Sequence, residues 1–140
     1  EAIFSNELES RRGTVDRALI FREMHNLRNS GALADELAAI RAALKPDGLL
    51  GIVQHRARAD APSSYADGAK GYMREADVIG LVEKQGFVLV DRSEINANPA
   101  DTADHPQGVW ELPPALRTGR AELRGIGESD RMTLLFRKRR

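Results

Sequence analysis

V-D-R-A-L-I-F-R-E-M-H-N, from Val15 to Asn26, decides how this chain is read. Ala18-Leu19-Ile20-Phe21 is a short unbroken apolar run with polar residues on both sides, the pattern of a strand buried on both faces. Such strands belong to parallel sheets, whose ligands gather beyond the carboxyl ends of the strands. The polar run Arg22-Glu23-Met24-His25-Asn26 falls at that end, so the site is sought there.

Working outward, Asn29 or Ser30 can cap a helix, and Leu33, Leu37, Ile40 and Leu44 then recur at helical spacing as one apolar stripe, with Asp35, Glu36 and Arg41 off it. Lys45-Pro46-Asp47-Gly48 ends that helix, because proline breaks the hydrogen-bond ladder and glycine supplies a turn. Leu49-Leu50-Gly51-Ile52-Val53 is a second apolar strand, and strand, helix, strand makes a right-handed parallel unit. Gln54-His55-Arg56 ends the second strand where Glu23-Met24-His25 ends the first, so two polar strand ends face one crevice. Residues 57 to 71 read as a loop over it, long enough for a lid, with Tyr65 and Tyr72 as aromatic contacts. A second helix from about Arg74 stops at Gly86, and Phe87-Val88-Leu89-Val90 starts a third strand. A long irregular excursion follows, through Asn96, Asn98, Trp110 and Pro113-Pro114. Met132 to Phe136 closes the chain as a strand antiparallel to the third. Glu1 to Thr14, with Ile3, Phe4 and Leu8, reads as a connector.

The 140 residues suit a single domain, residues 1–140, with one core. Lys plus Arg balances Asp plus Glu at 21 each, so neither a nucleic-acid face nor an anionic-membrane face is indicated, and a small-molecule partner is expected. The basic end, Arg137 to Arg140, reads as a solvated strand end. With no cysteine, thiolate chemistry and Cys-ligated zinc are excluded. No apolar run approaches the roughly 20 residues of a membrane helix. Cytoplasmic placement is favoured, though the first residue is Glu1 and a leader ahead of it is not visible.

Several segments in combination resemble the C-terminal half of class I S-adenosylmethionine-dependent methyltransferases. A-I-R-A-A-L-K-P-D-G-L-L-G-I-V is similar to the helix, L-K-P-G-G, strand segment of that superfamily, and E-A-D-V-I-G-L-V-E-K-Q-G-F-V-L-V to its next helix, G-F, strand segment. M-H-N, H-R-A, N-P-A-D and G-V-W-E-L-P-P resemble, more narrowly, predicted bacterial methyltransferases of unassigned substrate. The resemblance spans about Val15 to Phe136. It implies an α/β fold, a partial Rossmann-like methyltransferase sheet of parallel strands with an antiparallel final strand. It also implies S-adenosylmethionine as cofactor and a small-molecule methyl acceptor. The glycine-rich half that grips the cofactor is absent from these residues, since no G-x-G-x-G occurs. The isolated chain is therefore expected to be inactive. Its first strand, central in the resembling fold, is left with an unpaired edge, to be covered either by the missing half in the natural protein or by two copies pairing, as a homodimer, or exchanging elements.

His25 and His55 are the catalytic candidates, because imidazole can take a proton from an oxygen or nitrogen nucleophile near neutral pH. The other reading of each is a structural histidine bonded to a backbone carbonyl. The resemblance places Arg22, Glu23 and Met24 beside the methionine part of the cofactor. Asn26, Arg56, Tyr72, Asn96 and Asn98 are candidates for the substrate side, with helix capping and turn formation as the alternative uses of the asparagines. Trp110 with Pro113-Pro114 is a flap or a piece of core cover. No metal site is expected, because the histidines lack the spacing of one. Against the enzyme stands a second reading, a non-catalytic remnant or oligomerisation module of the same fold.

Overall fold

A computed structural model describes Ala2 and residues 4–140. Four strands, β1 (Val15–Phe21), β2 (Leu44–His55), β3 (Phe87–Ser93) and β4 (Arg131–Lys138), form one sheet in the order β1-β2-β4-β3. β1 and β2 are parallel, with Phe21 opposite Val53, and β4 runs antiparallel to both β2 and β3. The final strand is thus inserted between the second and third.

The apolar stripes fix which face is covered. Leu33, Leu37, Ile40 and Ala43 of α2 (Leu33–Ala43) and Val78 and Val82 of α4 (Glu75–Lys84) are buried together with Ile20, Leu50, Ile52, Leu134 and Phe136 of the sheet. Fully burying each of the larger side chains is worth about 1.5–3 kcal/mol. Strand alternation sends their neighbours to the other face. There Leu19 and Phe21 are 63% and 55% exposed, so β1 is covered on one side and not on both as its composition suggests. Among the described residues nothing packs over that second face.

Three further expectations change. Asn29 and Ser30 do not cap a helix; they belong to α1 (Met24–Ser30), which starts at once after β1 and ends at Gly31 with φ +79. The N-cap of α2 is Ala32, without a side-chain cap bond. Lys-Pro-Asp-Gly does not separate helix from strand but lies within β2 as a bulge, since Val15 pairs with Leu44 while Arg17 already pairs with Leu49. The connector contains a 3-10 helix, Ser5–Arg11, whose Leu8 joins the core; Glu1 and Ile3 lie outside the described residues.

The proposed lid is a packed wall. It carries α3 (Ser63–Ala66), and the Tyr65 hydroxyl donates to the carbonyl of His105 at 2.8 Å while Lys70 Nζ donates to that of Pro106 at 2.8 Å. Ala57, Ala61, Ala66, Tyr72, Ala103 and Val109 form a second, smaller apolar cluster beneath it. The basic end has a structural use: Lys138 Nζ donates to the carbonyls of Arg41 and Leu44 at the end of α2.

Candidate active site

Because β1 and β2 are parallel and in register, their carboxyl ends open on the same edge, where Arg22 N–H donates to Val53 O at 2.7 Å. From the first end the chain turns through Arg22 at φ +57, a left-handed conformation uncommon for a residue with a side chain. That turn swings α1 inward and places His25, 4% exposed, against the end of β2. The imidazoles of His25 and His55 lie 5.6 Å apart, centre to centre, tilted by 52°. They share a crevice of about 310 Å³, lined also by Arg22, Glu23, Asn26 and Trp110. The indole meets the His25 ring edge-on at 6.2 Å, and the Arg117 guanidinium sits 5.4 Å from its centre. Trp110 and the two prolines thus line the crevice, and Trp110 also covers the smaller apolar cluster.

Each imidazole is held by its Nδ1. His25 Nδ1 lies 3.3 Å from Gln54 Oε1, and the Gln54 amide donates at 2.8 Å to the carbonyl of Gly71. His55 Nδ1 lies 2.6 Å from Ser129 Oγ, which also receives Arg131 Nε at 3.4 Å. Among the described residues neither Nε2 has a protein partner and no buried side-chain nitrogen or oxygen is without one, so neither Nε2 is fully buried, and both rings line the crevice. Burial, and then the nearby charges of His25, Arg131 and Arg22, push the His55 imidazole down to about 3. His55 is therefore neutral at physiological pH.

The remaining candidates divide. Glu23 and Asn26 stand together at the rim, Asn26 donating to Glu23 Oε2 at 3.1 Å, and the Arg22 guanidinium has no hydrogen bond or ion pair among the described residues. Met24, by contrast, is fully buried in the main core. Arg56 does not face the crevice. It meets Asp130 at 3.0 Å, Glu94 at 2.7 Å and Glu75 at 3.2 Å, and the bonds to Glu94 and Asp130 hold its guanidinium even more firmly charged than usual. Tyr72 is fully buried, its hydroxyl donating to Asp101 Oδ2 at 2.8 Å, and burial followed by the Asp101 charge pushes the phenol upward. Asn96 donates to Thr133 Oγ1, and Asn98 Nδ2 to the carbonyls of Ile126 and Glu128. These four knit the excursions to the sheet and lie off the crevice wall. Among the described residues no three His, Asp or Glu side chains converge to hold a metal ion.

Two contributors were not singled out from sequence. Gln54 carried a signal, since it continues the inward alternation of Leu50 and Ile52 along β2 and a buried amide there must be bonded. Ser129, at the end of the second excursion, carried none.

The same arrangement of strands and helices recurs in known structures. The [4+2]-cyclase SpnF superposes with a TM-score of 0.62 at 17% identity, over 99% of this chain and 56% of that one. An S-adenosylmethionine-dependent methyltransferase from Methanosarcina mazei gives 0.59 at 10% identity, over 99% of this chain and 66% of its own. The chain has the fold of part of a class I methyltransferase. The 1,6-didemethyltoxoflavin-N1-methyltransferase of Burkholderia thailandensis, solved with 1,6-didemethyltoxoflavin and S-adenosylhomocysteine, gives 0.54 at 16% identity over 92% of this chain and 46% of that one. The chain thus spans from 46% to 66% of the lengths of these three structures. Neither a protein-family model nor a curated protein matches the sequence.

Proposed function

We propose that this chain forms the acceptor side of an S-adenosylmethionine-dependent methyltransferase acting on a small molecule. One observation carries the reading: two imidazoles, each anchored through Nδ1, present open Nε2 atoms to one crevice at the carboxyl ends of parallel strands. The fold alone does not carry it, since a cyclase shares it.

The residues present fit one end of the cofactor. An unpaired guanidinium at Arg22 beside the Glu23 carboxylate suits the amino-acid end, which carries both a carboxylate and an ammonium group. When bound, S-adenosylmethionine supplies a methyl group made electrophilic by its sulfonium, so the protein needs to position an acceptor and manage its proton. His25 supplies that proton handling while His55, held neutral, hydrogen-bonds the acceptor, and Trp110 with Pro113 and Pro114 excludes water from one side. With no glycine-rich turn among these residues, the isolated chain binds the cofactor weakly and turns over little. In the same reading, the bare edge of β1 with exposed Leu19 and Phe21 supports pairing of two copies of the isolated chain.

The test is calorimetry with S-adenosylmethionine on this chain and on the whole gene product, followed by an assay for S-adenosylhomocysteine release over a panel of small hydroxy and amino compounds. Tight binding and release by the whole product, with kcat reduced by His25→Ala at unchanged cofactor affinity, is the expected result. Absence of binding by the whole product overturns the reading.

A further inference from the structure

The hydrogen bonds around the two imidazoles bear on more than their position; we infer from them where each ring carries its proton. Gln54 is fully buried, and its amide nitrogen, which also lies 3.3 Å from His25 Nδ1, has a carbonyl acceptor for each of its two hydrogens, Gly71 at 2.8 Å and His55 at 3.4 Å, which orients the amide. Gln54 Oε1 must then find a donor, and the one within reach is His25 Nδ1 at 3.3 Å. His25 therefore holds its proton on Nδ1, and its Nε2 is a bare lone pair. The other ring is arranged the opposite way. Ser129 is 4% exposed, and its Oγ already accepts from Arg131 Nε. Its hydroxyl proton has one acceptor at hand, His55 Nδ1 at 2.6 Å. His55 receives on Nδ1 and so holds its proton on Nε2.

We propose that this opposed pair of tautomers cradles a hydroxyl group of the methyl acceptor, His55 Nε2–H donating to its oxygen and His25 Nε2 receiving its proton. This rests on the methyl-transfer reading above and gives it an acceptor class, O–H. A hydroxyl offers one donor and free lone pairs, which matches one acceptor and one donor on rings 5.6 Å apart. An ether or a carbonyl has nothing to give His25. In the step itself the O–H bond breaks, its proton goes to His25 Nε2, and the pair left on oxygen bonds the incoming methyl carbon while sulfur keeps the pair of the old bond. His25 then returns the proton to water. His55 does not change its protonation state, and Gln54 and Ser129 are positioning residues that act only through the rings they orient.

The experiment reads the rings directly. The protein is labelled with ¹⁵N at histidine, of which the sequence has three. Ring nitrogen shifts and their couplings to ring protons are recorded at mildly alkaline pH. His25 should show a protonated Nδ1 and bare Nε2, and His55 the reverse. His105, whose Nε2 is bonded to Asp101, serves as the internal control. Gln54→Met should mix the two tautomers of His25 alone, with Gln54→Glu, which keeps an acceptor oxygen, restoring the preference. Ser129→Ala should mix those of His55 alone. Added 2-naphthol should shift both Nε2 signals, and 2-methoxynaphthalene, which has no hydroxyl proton, should leave His25 Nε2 unmoved. The same tautomer on both rings in the unmutated protein overturns the proposal, as does an equal response to the two naphthalenes or no response to 2-naphthol. None of these readouts needs methyl transfer. If the tautomers stand and the whole gene product still fails to bind S-adenosylmethionine, the function proposed above falls and the ring assignment does not.

Discussion

Replacing Tyr72 by Phe separates a side chain that binds substrate from one that holds the protein together. The substitution removes one oxygen and keeps the ring, so its stack on Tyr65 (5.8 Å) and its edge contact with His55 (6.3 Å) survive. What is lost is the bond from the buried hydroxyl to Asp101 Oδ2 at 2.8 Å. A hydrogen bond to a charged group contributes about 1.5–3 kcal/mol. The lower part of that range applies, because Asp101 keeps the backbone N–H groups of Ala103 and Asp130 and the imidazole of His105, each at 2.9 Å. A loss of about 2 kcal/mol, at a urea m-value of about 2 kcal/mol/M, moves the unfolding midpoint down by about 1 M. Circular dichroism during urea titration reads that shift, and binding of 2-naphthol to the crevice should be unchanged. A midpoint displaced by less than ~0.2 M, together with weakened naphthol binding, would refute the argument and return Tyr72 to the substrate side.

Stability should depend on pH through His55. Below the ordinary histidine value of 6.5 the unfolded chain takes up a proton that the folded site refuses until about 3, so stability is fully present above 6.5 and falls as pH drops through that window. The slope is up to about 1.4 kcal/mol per pH unit, and urea titrations at several pH values should show it reduced by one proton in His55→Asn. Gly108→Ala should cost about 2–4 kcal/mol, since Gly108 has φ +78 and a Cβ there would run into the backbone carbonyl of Lys70. The neighbouring Trp110 is the only tryptophan, so thermal melts followed by its fluorescence report both the loss and the loosening of the crevice wall. Leu19→Lys with Phe21→Lys should abolish self-association of the isolated chain in sedimentation velocity; a chain monomeric before the change refutes pairing through β1.

How much of this was legible in the sequence depends on what each residue's role needs. Apolar runs and stripes are local, so the strands at Ala18, Leu49, Phe87 and Met132 and the helices through Leu37 and Val82 could be read directly. The coverage of a strand is not local: Leu19 and Phe21 are as apolar as Ile20, and composition does not say that a second layer is missing. The crevice was legible because parallel register carries His25 and His55 to one edge. Arg56, Tyr72, Asn96 and Asn98 lie off the crevice wall for one common reason. They sit at strand ends or in loops near the crevice in sequence, while their partners, Asp130, Asp101, Thr133 and Glu128, come from 29 to 74 residues away. Nothing in a linear pattern announces such pairs. Lys-Pro-Asp-Gly was read as a turn on sound chemistry, and β2 absorbs it as a bulge because Leu44 already pairs with Val15.

The insertion of β4 between β2 and β3 sets an order of events during synthesis. β1, α2 and β2 can assemble from contiguous chain, but β3 has no partner in the sheet until the strand beginning at Arg131 has left the ribosome. For the time it takes to make the whole second excursion, Phe87 to Ser93 waits as a strand without a sheet partner, with only α4 to pack on, and the β2 edge waits with it. Whatever slows translation between Glu94 and Asp130 lengthens that exposure. Codon choice and chaperone supply over those residues therefore bear on soluble yield, and β4 acts as the clasp that ends the interval.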